Sequence, residues 1–242
     1  MQEAQIRPIA RLEASADQIR KPPSFLRRAT RNVGAMIGIT LLVGIAFVAV
    51  FAPFIAPYDP LAIEMEQKFT PPNIEHLFGT DELGRDVFSR VVSGSRISFQ
   101  VAIEVLVIAG SIGILLGIIA GYRGGLVDEA IMRVADIFFA FPSFLLAMAI
   151  VAALGPSIQN AILAIGIAWW PRYARLLRGQ VLSVKNMAYV EAARSMGAGD
   201  SRIMARHVFP NCMAPLVIKF ATDAGAAILS ASALSFVQLG AR

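Results

Sequence analysis

The sequence predicts an all-helical protein that is embedded in a membrane. Hydrophobic residues make up 56% of its 242 residues and charged residues only 16%, whereas soluble domains are about 25% charged. One uncharged apolar stretch continues from Asn32 to Tyr58, which exceeds the roughly 20 residues that a helix needs to cross a bilayer. The mean hydropathy of +0.63 indicates the same class. These observations exclude a soluble domain with a large core.

Five apolar segments are expected to form membrane spans. They cover about residues 33–54, 97–121, 137–154, 158–176 and 210–237. Pro142 is expected to kink the third span, and the Gly155-Pro156 turn separates it from the fourth. The segment from Tyr122 to Asp136 contains several charges and is predicted to be a short loop between the second and third spans.

The charges of the polar segments predict how the chain is oriented. Residues 1–32 form an arm with seven basic and three acidic side chains, and the loop 172–209 carries seven basic and two acidic ones. The loop 58–96 has the opposite balance, with four basic and seven acidic side chains. Because basic residues concentrate on the cytoplasmic side of membrane proteins, the arm and the loop 172–209 are expected there. The remainder, 33–242, is predicted to be the membrane domain.

The composition also limits the other classes of partner and site. The net charge of +5 is typical of cytoplasmic loops of membrane proteins and does not indicate a nucleic-acid partner. Cys212 is the single cysteine, so no disulfide can form within the chain. Together with two scattered histidines it gives no metal-site spacing, and neither a metal nor another cofactor is expected in this chain.

A polar, basic segment follows the fourth predicted span and reads YVEAARSMGAGDSRIMARHVFPN. Residues 187–196 are rich in good helix formers and predict a short helix. Gly197 can end that helix, and Asp200 or Ser201 can cap a second one. Pro210 marks the entry into the last apolar segment. The pattern predicts two helices, joined at glycine, that lie across the membrane surface.

This segment resembles the EAA loop of ABC-importer permeases, through which a membrane subunit docks on its ATPase. The resemblance defines a coupling loop at residues 185–209 and implies a docking role for six residues. They are Glu191, Ala192, Ala193, Gly197, Ile203 and Pro210. The alternative is an ordinary cytoplasmic loop whose charges are solvated.

A second motif, HLFGTDELGRD, begins at His76 in the outer polar loop. Two glycines with alternating acids and arginine predict a compact turn with local ion pairs and an Asp or Ser helix cap. The motif resembles the GTDxxGRD segment before the second helix of the dipeptide/oligopeptide/nickel permeases, in the subunit with the longer N-terminal arm. A structural role at the membrane face is expected in preference to direct contact with the substrate.

Glycines and charges within the predicted spans suggest helix contacts. Gly113, Gly117 and Gly121 recur at every fourth residue and give a smooth face for a neighbouring helix. Lys219 and Asp223 lie four residues apart and can form an ion pair inside the membrane. Facing a partner subunit or a transport pathway would lower the cost of placing these charges there.

The family resemblance implies a type I ABC-importer membrane domain in a bacterial inner membrane, with the N-terminus in the cytoplasm. It also implies a second permease subunit, two ATPase subunits that use ATP and Mg²⁺, and an extracytoplasmic binding protein. Peptides or related small solutes would be the cargo. Members of this family continue into a sixth span, which is expected to be missing from this sequence.

The chain itself is expected to be non-catalytic. It contains no G-x-x-x-x-G-K-[ST] phosphate loop and no recognisable catalytic arrangement. Two alternatives come from other classes. An ion-coupled transporter or channel would use Glu104, Lys219 and Asp223 as an ion path. A truncated, non-transporting permease would bind the ATPase and move nothing.

Overall fold

The computed structural model describes residues 32–237, and all regular elements in that range are helices. The predicted cytoplasmic arm, apart from Asn32, lies outside the described residues. The longer helices are α1 (Val33–Ile55), α2 (Val87–Arg123), α3 (Gly125–Phe139), α4 (Ser143–Leu154) and α5 (Ile158–Val184). They are followed by α6 (Ala188–Ser195), α7 (Asp200–Ile203), a π-helix (Met204–Val208), a 3₁₀ turn (Phe209–Cys212) and α8 (Met213–Phe236).

Helix α1 packs against α2 but buries little of its own surface. Asn32 caps it, because its side chain accepts a hydrogen bond from the amide of Ala35 at 3.3 Å. Ala49 and Ala52 are its buried residues, and the remainder of its surface is largely exposed and apolar. Such a surface suits contact with lipid or with another membrane protein.

Helix α2 begins at Val87, ten residues before the predicted start of the second span. The apolar run alone predicts a start at 97 and places residues 87–96 in the outer loop. They are helical because Asp86 caps the helix, accepting a hydrogen bond from the Ser89 amide at 2.7 Å. The outer loop therefore ends at this cap.

Helices α2 and α5 form the tightest contact of the bundle, along the predicted glycine face. A Cβ atom added at Gly117 would lie 2.6 Å from the carbonyl oxygen of Ala174. One added at Gly113 would lie 2.6 Å from the carbonyl oxygen of Trp170, and Gly121 is similarly close to α5. The two backbones therefore meet without an intervening layer of side chains.

The prediction of a loop from Tyr122 to Asp136 is wrong, because most of this segment forms helix α3. Two of its acidic residues are paired with arginines of α5 and so do not require a solvated loop. Arg178 binds both carboxylate oxygens of Asp128, at 2.5 and 2.7 Å, and Arg175 pairs with Asp136. Between α3 and α4 the chain bends by 85°, at the position where Pro142 predicted a kink.

The turn between α4 and α5 follows the prediction, but α5 is longer than expected. Gly155 turns with a φ of +94°, and the Ser157 side chain caps α5 by accepting from the Asn160 amide at 3.0 Å. The helix continues past the predicted end at 176, and Arg178 in the added part is paired with Asp128 on α3. With α2, α4 and α8 packed around it, α5 contributes more residues to the buried core than any other helix.

By length and composition, three helical stretches within residues 32–237 can cross a membrane: 33–55, 87–123 and 200–236. The bent pair α3–α4 adds a fourth if it counts as one span. Helix α5 is not among them, because its arginines and other polar residues lower its hydropathy. It needs less apolar surface, because its neighbours cover much of it. The protein is thus an all-helical, multi-pass membrane protein.

Candidate docking loop and intramembrane charge cluster

Helix α6 is the short helix that the sequence predicted in the polar loop. Val190 and Ala193 are buried and fix the helix to the bundle, while Glu191 and Ala192 are exposed. The spacing follows from helical periodicity, which places residues three apart on one face. The helix therefore presents a carboxylate beside a small methyl group to its surroundings.

A glycine turn links α6 to the second half of the loop. Gly197 has a φ of +82°, and its amide donates to the Arg194 carbonyl at 2.9 Å. Residues with a Cβ adopt this conformation only with strain. The predicted cap on the next helix differs, because Gly199 and not Asp200 or Ser201 occupies the cap position and no side chain caps it.

The six residues predicted to dock on an ATPase fall into two groups. Glu191, Ala192, Gly197 and Pro210 are exposed. Ala193 and Ile203 are 3% and 0% exposed and face the core of the bundle. In this structure those two attach the loop to the bundle, and little of either side chain is accessible. Burial at every third or fourth residue of an amphipathic helix could have indicated this.

The side chain of Tyr122, at the end of α2, joins the loop to the bundle. Its hydroxyl donates to a carboxylate oxygen of Asp200 at 2.6 Å, and Arg194 donates to the same hydroxyl at 3.4 Å. Nearby, the Lys185 ammonium donates to the carbonyl oxygen of Gly121 at 2.8 Å. Tyr122 is not among the residues predicted from the sequence, because spacing gives no signal for a contact between residues so far apart.

A groove of about 360 Å³ lies beside α6 on the exposed side of the loop. Its lining includes Ala193, Met196, Gly197, Ala198, Arg202, Arg206 and His207. Met196 is 82% exposed. The groove thus combines a flexible apolar side chain with two permanent positive charges, which suits a partner surface containing apolar and acidic groups.

Inside the bundle, Lys219 and Asp223 are joined and a tyrosine completes the cluster. The Lys219 ammonium donates to one carboxylate oxygen of Asp223 at 2.8 Å, and the Tyr173 hydroxyl donates to the other at 2.9 Å. Asp223 is 5% exposed. The cluster connects α5 with α8. Glu104, the third intramembrane charge, accepts from Gln100 on its own helix at 2.8 Å.

The outer motif folds into a compact turn around Asp81. The Asp81 carboxylate accepts from the amides of Leu83 and Arg85 at 2.9 and 3.0 Å, and it pairs with the Arg85 and Arg90 side chains. Burial raises the pKa of Asp81, but hydrogen bonds from Arg85 and Leu83 and the Arg85 charge outweigh it and bring the pKa to about 2. The turn depends on an ionised carboxylate.

A second part of this outer turn surrounds His76. Its ring nitrogens lie 3.0 Å from Asp86 Oδ1 and 2.6 Å from Gln67 Oε1, and the Ser89 hydroxyl accepts from the Tyr58 amide at 3.2 Å. Burial raises the pKa of Asp86, whereas hydrogen bonds from Ser89 and His76 lower it below its usual value. The residue that caps α2 is therefore also tied to the loop.

Comparisons with known proteins identify the family of this chain. Residues 113–242 match the family model of the binding-protein-dependent transport system inner membrane component. Residues 24–72 match the model of the N-terminal transmembrane domain of oligopeptide transport permease C. The chain belongs to this family of permeases. It is an ABC-importer permease of the dipeptide/oligopeptide type, and its place is a bacterial inner membrane.

Curated relatives of this permease carry related descriptions. A probable D,D-dipeptide transport system permease of Escherichia coli K12 is 45% identical over 202 residues, which cover 84% of this chain and 68% of the relative. A di/tripeptide transport system permease of Pseudomonas aeruginosa is 44% identical, covering 89% and 73%. A glutathione transport system permease of Escherichia coli O6:K15:H31 is 43% identical, covering 93% and 75%. Family membership favours an importer over the ion-coupled alternative.

Proposed function

We propose that this permease couples ATP hydrolysis in partner subunits to solute movement through the loop 185–209. The observation that carries the proposal is that one face of α6 is buried in the bundle and the opposite face is exposed. Val190 and Ala193 anchor it in the bundle, while Glu191 and Ala192 are exposed. A short helix held on one side and open on the other can transmit a displacement from a partner to the bundle.

In this proposal each exposed residue of the loop has a separate task. Glu191 pairs with a basic group of the ATPase, and the small side chain of Ala192 lets the ATPase approach the helix closely. Gly197 gives the turn its φ of +82°. The basic groove beside α6 takes up apolar and acidic groups of the ATPase, while the buried Ala193 and Ile203 keep the loop attached. ATP and Mg²⁺ bind in the ATPase subunits.

The proposed assembly contains this chain, a second permease, two ATPases and an extracytoplasmic binding protein. Together the permeases form a pathway for peptides or related small solutes. In the membrane, this chain takes a type I importer fold with five spans: α1, α2, the bent pair α3–α4, α5, and α8. The N-terminal arm and the coupling loop lie in the cytoplasm. The Tyr122–Asp200 bond supports this order, since it brings the end of α2 to the loop.

Co-purification tests the docking role directly. The chain is co-expressed with the second permease and the ATPases from its own transport system, as wild type and as Glu191→Lys. The wild type should retain the ATPases in mild detergent, and Glu191→Lys should retain few or none, because two basic groups would then face each other. Glu82→Lys makes the same charge change at an exposed site in the outer loop and serves as the control.

The outcomes separate the docking residue from the docking function. Equal ATPase recovery with Glu191→Lys and wild type would move the contact away from Glu191. No recovery with the wild type would contradict the importer assembly itself. Gly197→Pro gives a second measurement, since proline cannot adopt a positive φ. It should abolish transport while the chain still inserts, and normal transport by this variant would contradict the proposed coupling.

A further inference from the structure

We propose that the Lys219 ammonium is a binding point for the carboxylate of the transported solute, on a face of α8 that lines the pathway. The chemical class is a small solute with a free carboxylate, such as the C-terminus of a short peptide. This inference rests on the proposed function, because it assumes that the chain forms part of a pathway. It assigns to Lys219 a role beyond pairing with Asp223.

The first argument is the orientation of the ion pair. Asp223 is buried, and its two carboxylate oxygens accept from Lys219 and Tyr173. The Lys219 side chain, in contrast, is 32% exposed. The pair is therefore a dipole whose negative end points into the bundle and whose positive end points outward. A neutral pair of this kind can still attract an anion at its exposed end.

The second argument is the hydrogen-bonding capacity of the ammonium. Lysine has three N–H donors. Within residues 32–237, the Lys219 nitrogen donates one hydrogen bond, to Asp223 at 2.8 Å. The other two donors have no acceptor among the described residues, and a carboxylate of a solute would accept them more strongly than a neutral oxygen does.

The third argument is the direction in which the lysine extends. Lysines near a helix end inside a membrane usually reach back to the nearer interface. Lys219 lies six residues after the first residue of α8, yet its ammonium turns forward to Asp223, four residues further along. Four residues correspond to about 6 Å of helix. Asp223 thus holds the positive charge deeper in the bundle than solvation alone would place it.

The fourth argument is the character of the face beside Lys219. Lys219 borders an exposed side of α8 that combines the polar or small residues Thr222, Gly225 and Ser232 with the apolar Ile218 and Leu229. A lysine charge that faced lipid within a membrane span would be costly. The edge of α8 that carries the Lys219 ammonium is therefore expected to meet water or solute.

Thiol labelling in the assembled transporter tests the proposal. Cys212→Ala removes the native thiol, and Thr222→Cys places a new one on the exposed face, one turn from Lys219. An anionic and a cationic methanethiosulfonate reagent are then compared. The anionic reagent should react faster, and Lys219→Met should lower the anionic-to-cationic rate ratio about tenfold. Lys219→Arg keeps the charge and should keep the ratio.

Protection by a peptide then tests the ligand class. Alanyl-alanine with a free carboxylate should slow labelling of Thr222→Cys at least threefold, whereas its C-terminal amide should not. Lys219→Met should remove the protection. Val50→Cys, on the exposed surface of α1, is the positional control. Its labelling should respond neither to the peptide nor to Lys219→Met.

Each contrary result overturns the inference. A thiol at 222 that reacts with neither reagent would show a face closed to water. A rate ratio unchanged by Lys219→Met would remove the electrostatic role, and equal or absent protection by the two peptides would remove the carboxylate site. Failure of the proposed function is seen separately and earlier, as loss of the ATPases from the purified wild-type assembly.

Discussion

The hydroxyl of Tyr122 lies 2.6 Å from a carboxylate oxygen of Asp200, and 78 positions separate the two residues in sequence. Tyr122 is in the last turn of α2, and Asp200 is the first residue of α7. The loop is continuous with α5 and leads into α8, so this bond adds a third helix to its attachments. A displacement of the loop consequently acts on α2, α5 and α8 together.

Tyr122→Phe should weaken coupling without preventing assembly. The substitution keeps the ring and removes the bonds to Asp200 and Arg194. In a reconstituted transporter we expect ATP hydrolysis close to wild type and a several-fold decrease in solute moved per ATP. The control is Tyr189→Phe, which removes a bond within the loop, to the His207 carbonyl. Unchanged transport per ATP in Tyr122→Phe would show that the Tyr122–Asp200 hydrogen bond does not transmit the displacement of the loop.

Gly117→Ala should destabilise the bundle more than its small size suggests. The added Cβ would lie 2.6 Å from the carbonyl oxygen and 2.9 Å from the Cα of Ala174, and backbone cannot rotate away as a side chain can. We expect a loss of about 1–3 kcal/mol, measured as a lower thermal unfolding midpoint in detergent. Gly44→Ala on α1, where a Cβ meets nothing within 4 Å, should leave the midpoint unchanged or raise it slightly.

The outer turn should lose stability in acid through Asp81. Its pKa is about 2 in the folded protein, below the usual 3.8, so the folded state favours the ionised form. This contribution is complete above about pH 4 and is lost as the pH falls toward 2. Asp81→Asn should therefore unfold at a lower temperature than wild type at pH 7, and the difference should shrink below pH 4.

Glu82→Gln provides the matched control for this measurement, since the neighbouring Glu82 is exposed. Its unfolding midpoint should stay close to that of the wild type from pH 7 to pH 3. A gap between Asp81→Asn and wild type that stays constant over the same range would contradict the electrostatic account.

Asp128→Asn should be costly because it leaves Arg178 without its carboxylate. The guanidinium makes two bonds to Asp128, at 2.5 and 2.7 Å, and is only 34% exposed. We expect a loss of about 1–3 kcal/mol, with partial recovery in the double variant Asp128→Asn/Arg178→Gln. Glu129→Gln removes a neighbouring ion pair, with Arg133 at 3.6 Å, that is mostly exposed. That control should cost less than about 1 kcal/mol.

Apolar pattern and glycine spacing were sufficient to predict the helical class, the turn at Gly155 and the close face of α2. They failed at α3 and at the end of α5. There, charged residues that resemble a solvated loop are paired between helices, as in Asp128 with Arg178. Sequence patterns are local, so they cannot show that a charge is neutralised by a partner on another helix.

For the candidate site, the sequence indicated the α6 helix and the Lys219–Asp223 spacing, because both depend on residues close in the chain. It did not indicate Tyr122 or Tyr173. The hydroxyl of Tyr122 bonds a residue 78 positions away, and the hydroxyl of Tyr173 bonds one 50 positions away. Their role depends on how the helices pack, and one sequence contains no periodicity from which such a contact can be read.

The backbone contact between α2 and α5 has a mechanical consequence. Side chains can change rotamer and let two helices slide, but main-chain atoms at van der Waals distance cannot. The two helices therefore move as one rigid unit between Gly113 and Gly121. Any conformational change during a transport cycle has to occur outside this unit. The 85° bend between α3 and α4 is one such place.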